Sequence, residues 1–104
     1  MVEGGSISAV GPALSCPEDA LVIDASGKLV IPGGVDTAVH LHSPKEEVVG
    51  QADDFSSGTR AALQGGTTTV VELVESGAEQ SIIDAFNNWK EDAENNACCD
   101  YAFR

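Results

Sequence analysis

Apolar residues fall in short runs along the chain, and the spacing inside each run predicts the elements. Residues 4–10, GGSISAV, and 21–24, LVID, read as short strands separated by a Gly/Pro/Ser-bearing connection. Ala25-Ser26-Gly27-Lys28 is a turn, and Leu29-Val30-Ile31 is a further apolar run halted by Pro32-Gly33-Gly34. Val35 to His42 then reads as a strand that gives way to a loop at Ser43-Pro44. Asp53 is a good N-cap for the helix that follows, and Asp54 adds negative charge to its first turn. Phe55, Thr59, Ala62 and Leu63 share a face at helical spacing, and Gly65-Gly66 closes the helix. Thr67 to Val74 is rich in β-branched residues and reads as a strand. Ser81-Ile82-Ile83-Asp84 resembles a capping box, and the helix it opens carries Ile82, Phe86, Trp89 and Ala93 on one stripe. Cys98 to Phe103 begins another strand.

The order is therefore β-β, then β-α-β-α-β. Alternating strands and helices with connections of this length imply βαβ crossovers and a parallel sheet, so the fold class is α/β. Two helices are too few to cover three parallel strands. A closed (β/α)₈ barrel takes about 250 residues, and 104 residues hold little more than two of its eight units. Both a small open α/β fold and a piece of a barrel fit this order; the end inside a strand favours the piece.

Composition narrows the function classes. Seventeen Asp and Glu against five Lys and Arg give a formal charge of -12. Such a surface repels phosphate backbones and anionic lipid, so neither nucleic acid nor a membrane surface is an expected partner. The apolar runs fall far short of the roughly 20 residues that span a bilayer, and no secretory leader pattern opens the chain. Cys16, Cys98 and Cys99 are an odd count without C-x-x-C spacing, which fits reduced thiols in a cytosolic protein.

The candidate chemistry lies in residues 33–42, GGVDTAVHLH. His40 and His42 stand two apart, the spacing that turns two side chains to one face of a strand. They can be read as metal ligands or as polar residues at the solvent-facing end of a strand. Asp53-Asp54 could work as an acid/base pair, although N-capping is the better reading. Glu72 and Glu75 lie near the end of the second strand, where a barrel would have its active face. Loop 43–52 would lie on that face too, as a substrate loop or as a solvated acidic connection. No histidine is placed by sequence to activate Cys98, which reads as a strand-start thiol.

Several of these motifs recur together in a known family. Leu29 to His42, Asp53-Asp54-Phe55, Gly58-Thr59-Arg60-Ala61-Ala62-Leu63, Gly65-Gly66-Thr67-Thr68 and Cys98-Cys99-Asp100-Tyr101 closely resemble, in order and spacing, one amidohydrolase-superfamily group. That group is dihydropyrimidinase and the dihydropyrimidinase-related (collapsin response mediator) proteins. The resemblance runs from about Val2 to Arg104. It implies a remnant of a composite β-sandwich over residues 1–31. Residues 32–104 would be the first two βα units of a (β/α)₈ barrel and the start of its third strand. The chain would then be an N-terminal fragment, truncated at both ends.

The resemblance also bears on the histidines. In the family's enzymes the first barrel strand ends Asp-x-His-x-His, and its histidines hold one zinc of a two-metal pair. A carboxylated lysine, two further histidines and an aspartate come from downstream. Two metals about 3.5–4 Å apart generate a hydroxide and polarise the amide it attacks. Aligned on Pro32-Gly33-Gly34-Val35-Asp36, the two ligand positions fall on Ala38 and His40. A methyl group cannot coordinate zinc. His40 is then a vestigial register ligand and His42 a weak alternative, displaced by roughly 6.6 Å along the strand. Glu72 stands where an Asp is common in the family, and Leu73 where a His is.

The response-mediator branch has lost metal ligands, and one member carries a small residue followed by a displaced His-x-His. The resemblance thus implies a non-catalytic scaffold or signalling protein with no metal cofactor and no catalytic residue in this chain. Homo- or hetero-tetramers, cytoskeletal protein partners and a cytoplasmic location go with that reading. The alternative is a fragment of a two-zinc dihydropyrimidinase or hydantoinase that opens cyclic amides. On either reading the chain itself is expected to be inactive.

Overall fold

A computed structural model describes residues 1–41 and 53–104, which form two compact units, 1–30 and 31–104. In the first, β1 (Val2–Glu3) and β2 (Ser6–Ile7) make a small antiparallel hairpin that pairs Val2 with Ile7. Gly4 and Gly5, both at positive φ, form its two-residue turn, since a primed turn matches the twist of the strands. The strand expected over 4–10 is thus interrupted by the dipeptide that reverses the chain.

No strand forms at 21–24 or 29–31, where Leu21, Val22, Ile23, Leu29, Val30 and Ile31 are 72–91% exposed. The turn between these runs does form. The Lys28 N–H donates to the Ala25 carbonyl at 2.9 Å, and Asp24 accepts from both the N–H and the hydroxyl of Ser26. β-propensity alone makes no strand without a ladder partner.

The second unit holds β3 (Gly34–Val39), α1 (Phe55–Gln64), β4 (Thr67–Glu72), α2 (Ile82–Asn96) and β5 (Asp100–Phe103). Its sheet is parallel, in the order β3-β4-β5. Asp54, not Asp53, caps α1: it accepts the Ser57 N–H at 2.7 Å while the Ser57 hydroxyl accepts the Asp54 N–H. The Ser57 N–H and hydroxyl hold the Asp54 carboxyl below its ordinary value of 3.8. A lowered folded-state pKa contributes stability above the unfolded value and loses it as pH falls through the folded one. Asp54→Ala should therefore flatten the acid side of a helicity–pH curve measured by circular dichroism, leaving the neutral-to-alkaline limb parallel.

The core consists of Phe55, Ala85, Trp89 and Ala93, packed against Leu41, Val74, Ala97, Tyr101 and Phe103. The buried stripe of α2 is Ala85–Trp89–Ala93: Trp89 and Ala93 are buried as predicted, and Ala85 takes the place expected for Ile82 and Phe86. Ile82 is 56% and Phe86 41% exposed. Two alanines let the helix sit close around the indole, while Phe86 turns to the end of β5 and meets Phe103 edge-on at 5.5 Å. On α1, Phe55 and Thr59 are buried and Leu63 is exposed. Ser81 caps α2 as predicted, accepting the Asp84 N–H.

Thr59 ties the helices' layer to the sheet. Its hydroxyl donates to the Phe55 carbonyl and accepts the Cys98 N–H at 2.9 Å. Thr59→Val keeps the shape but removes the acceptor, so the Cys98 N–H loses this partner. We expect a loss of about 1–3 kcal/mol by urea unfolding, with Thr59→Ser nearer the parent.

Candidate functional site

The sequence places the site at the end of β3, and the local backbone decides what that end presents. Asp36 turns its carboxylate back along its own strand, where Oδ1 accepts the Ala38 N–H at 3.1 Å. Between the pairs Asp36–Val70 and Val39–Glu72 the register slips, so three steps of β3 oppose two of β4. That extra residue breaks strict alternation. The expectation that His40 and His42 turn to one face assumed a strand running from Val35 to His42, and β3 carries a bulge and ends at Val39.

His40 lies one residue beyond β3 and is exposed. Leu41 is half-buried and packs on the core. It rests against α1 so closely that a Cβ on Gly58 would meet Leu41 Cδ2 at 2.4 Å. The Leu41 N–H donates to both carboxylate oxygens of Glu72, at 2.9 and 3.0 Å. Glu72 is fully buried. Sequence reasoning placed Glu72 at a strand end but missed this contact, because nothing local signals a partner 31 residues away. Glu75 is exposed, beyond β4. His42 and loop 43–52 lie outside the described residues.

Among the described residues, no three or more His, Cys, Asp or Glu side chains converge as a metal site would require. Ala38 offers no donor atom, and the Asp36 carboxylate is engaged by the backbone. The described residues therefore do not fit a two-metal centre by themselves. The three thiols are free. Burial, then the Asp100 charge and Cys98, push the Cys99 thiol up, which disfavours a reactive thiolate. No helix among the described residues is long and apolar enough to cross a membrane.

The chain's structure is similar to part of a solved D-hydantoinase (dihydropyrimidinase) from Thermus sp., with a TM-score of 0.76. That match is 38% identical and covers 88% of this chain and 20% of the hydantoinase. The fold is thus that of the amidohydrolases. Human dihydropyrimidinase-related protein 5 is 46% identical over 101 residues, 97% of this chain and 18% of its own length. The dihydropyrimidinase of Rattus norvegicus is 41% identical over 98% of this chain and 20% of itself. The D-hydantoinase of Streptomyces coelicolor is 40% identical over 99% and 23%. The chain belongs to the dihydropyrimidinase and dihydropyrimidinase-related family, and it spans about a fifth of the length of these relatives. No family model matches it.

Proposed function

We propose that this chain is a non-catalytic, dihydropyrimidinase-related protein segment with a scaffold or signalling role. Ala38 carries the reading: a methyl group stands where the family's first zinc ligand belongs, one histidine spacing before His40. On this reading residues 1–31 are the remnant of a composite β-sandwich. Residues 32–104 are the first two βα units and the opening of the third strand of a (β/α)₈ barrel. His40 is then a vestigial ligand, His42 a displaced histidine, and zinc is no resident cofactor. Tetramers with family members, cytoskeletal protein partners and a cytoplasmic location follow from the same branch of the family.

The family's enzymes supply the second reading, a cyclic-amide hydrolase of the dihydropyrimidinase type, favoured by His40 remaining in register. A ring-opening assay separates the two. Dihydrouracil and hydantoin are incubated with the purified full-length parent protein and excess zinc, and the carbamoyl products are measured. The first reading expects no turnover above a protein-free zinc blank. Metal-dependent ring opening that a chelator abolishes would establish the second.

A further inference from the structure

Among the described residues, Glu72 is a buried ionisable group for which the family reading supplies no role. We infer that Glu72 is a positioning residue: by taking the Leu41 N–H on its carboxylate, it fixes the chain at the exit of β3 and so sets where His40 stands. This rests on the reading of His40 as the surviving register position.

A carboxylate at 0% exposure is costly unless it is well hydrogen-bonded. In a strand otherwise built of Thr and Val, Glu is also a poor local choice. Residues that break local rules in this way tend to mark sites with a further demand on them. The geometry shows the demand here. The last β3–β4 pair is Val39 with Glu72, and the Leu73 N–H closes on the Val39 carbonyl at 3.3 Å. Beyond that point the side chain of Glu72 takes over from the backbone ladder and reaches Leu41 with both oxygens. A charge-assisted bond of this kind is stronger than a neutral one.

The Leu41 side chain is held separately, against Gly58 of α1 and the core. Leu41 is therefore pinned at its nitrogen and at its side chain. Leu41 packs on the core while His40, one residue before it, is exposed, so fixing Leu41 fixes the backbone from which His40 projects.

The test is NMR on the labelled full chain. In the parent, a through-hydrogen-bond coupling should link the Leu41 nitrogen to the Glu72 carboxyl carbon. Glu72→Leu keeps volume but removes the acceptor; Glu72→Gln keeps an acceptor oxygen. For Glu72→Leu we expect Leu41 amide exchange to speed up roughly tenfold or more, and the His40 ring resonances to move. The Cys98 amide, bonded to Thr59, should stay protected and report an intact fold. Glu72→Gln should restore most of both effects. An absent coupling in the folded parent, or a folded Glu72→Leu with unchanged Leu41 exchange and His40 shifts, overturns the inference. If Glu72→Leu does not fold, the parent coupling and the Gln variant decide it. A zinc titration followed at His40 tests the vestigial-ligand reading separately, since tight zinc binding there would sink that reading and leave the Glu72–Leu41 contact standing.

Discussion

Trp89→Ala is expected to abolish cooperative unfolding of residues 31–104. The indole is 1% exposed and sits between Ala85 and Ala93, which offer only methyl groups to close over a cavity. Removing a buried Trp side chain costs about 3–5 kcal/mol. Small domains have only about 5–15 kcal/mol in total, and this unit's fully buried apolar cluster is four residues, two of them alanines. The expected result is a broad, non-cooperative urea transition followed by far-UV circular dichroism, with lost amide protection in β4 and β5. Ile83, 68% exposed on the same helix, provides the contrast. Ile83→Ala should shift stability by under about 0.5 kcal/mol. A sharp transition in Trp89→Ala would show that the sheet is held by something other than this helix.

Gly33→Val should be the second most damaging change. A Cβ at Gly33 would lie 2.1 Å from Thr68 Oγ1 and 2.6 Å from Thr68 Cβ. The first of these could be relieved by a rotamer change, but Cβ moves only with its backbone. Thr68 is fixed within β4, and the adjacent Gly34 N–H is bonded to the Gly66 carbonyl at 2.8 Å. Overpacking of this kind costs about 1–3 kcal/mol, occasionally more. Urea unfolding of Gly33→Val, Thr68→Gly and the pair checks it. The double variant should lose less than the sum of the singles, because the clash is shared. Strict additivity would mean that the two backbones do not approach as described.

The order of elements in residues 31–104 was legible because each is encoded locally. Thr67 to Glu72 is a β-branched run, Gly65-Gly66 ends a helix, and Ser81 caps one. What escaped depends on partners distant in sequence. Residues 21–24 have strand composition and no ladder, so pattern alone assigned them wrongly. On α2, Trp89 and Ala93 were found, but the third buried position is Ala85, whose small size gives a weaker periodic signal than Ile82 and Phe86. The α1 cap moved by one residue because Ser57 can bond Asp54 reciprocally, a pairing that Asp53 lacks.

The candidate site was half legible. Ala38 in place of a ligand is a fact of sequence, and no fold can give a methyl group a lone pair. The slip between Asp36 and Val39, which undoes the simple face argument for His40, belongs to the pairing with β4 and leaves no mark in the residues themselves. Glu72 looked like a diverged site residue, and it is a buried acceptor for the backbone beside His40.

The central claim, that Ala38 removes this chain from metal-dependent catalysis, is tested most directly by zinc stoichiometry. Equilibrium dialysis of the purified full-length parent protein against buffered zinc, with the bound metal counted, gives that number. The account predicts less than one tightly bound zinc per chain, with Ala38→His raising the occupancy by restoring a histidine two residues before His40. Two tightly bound zinc ions in the unaltered protein, lost in His40→Ala, would contradict it.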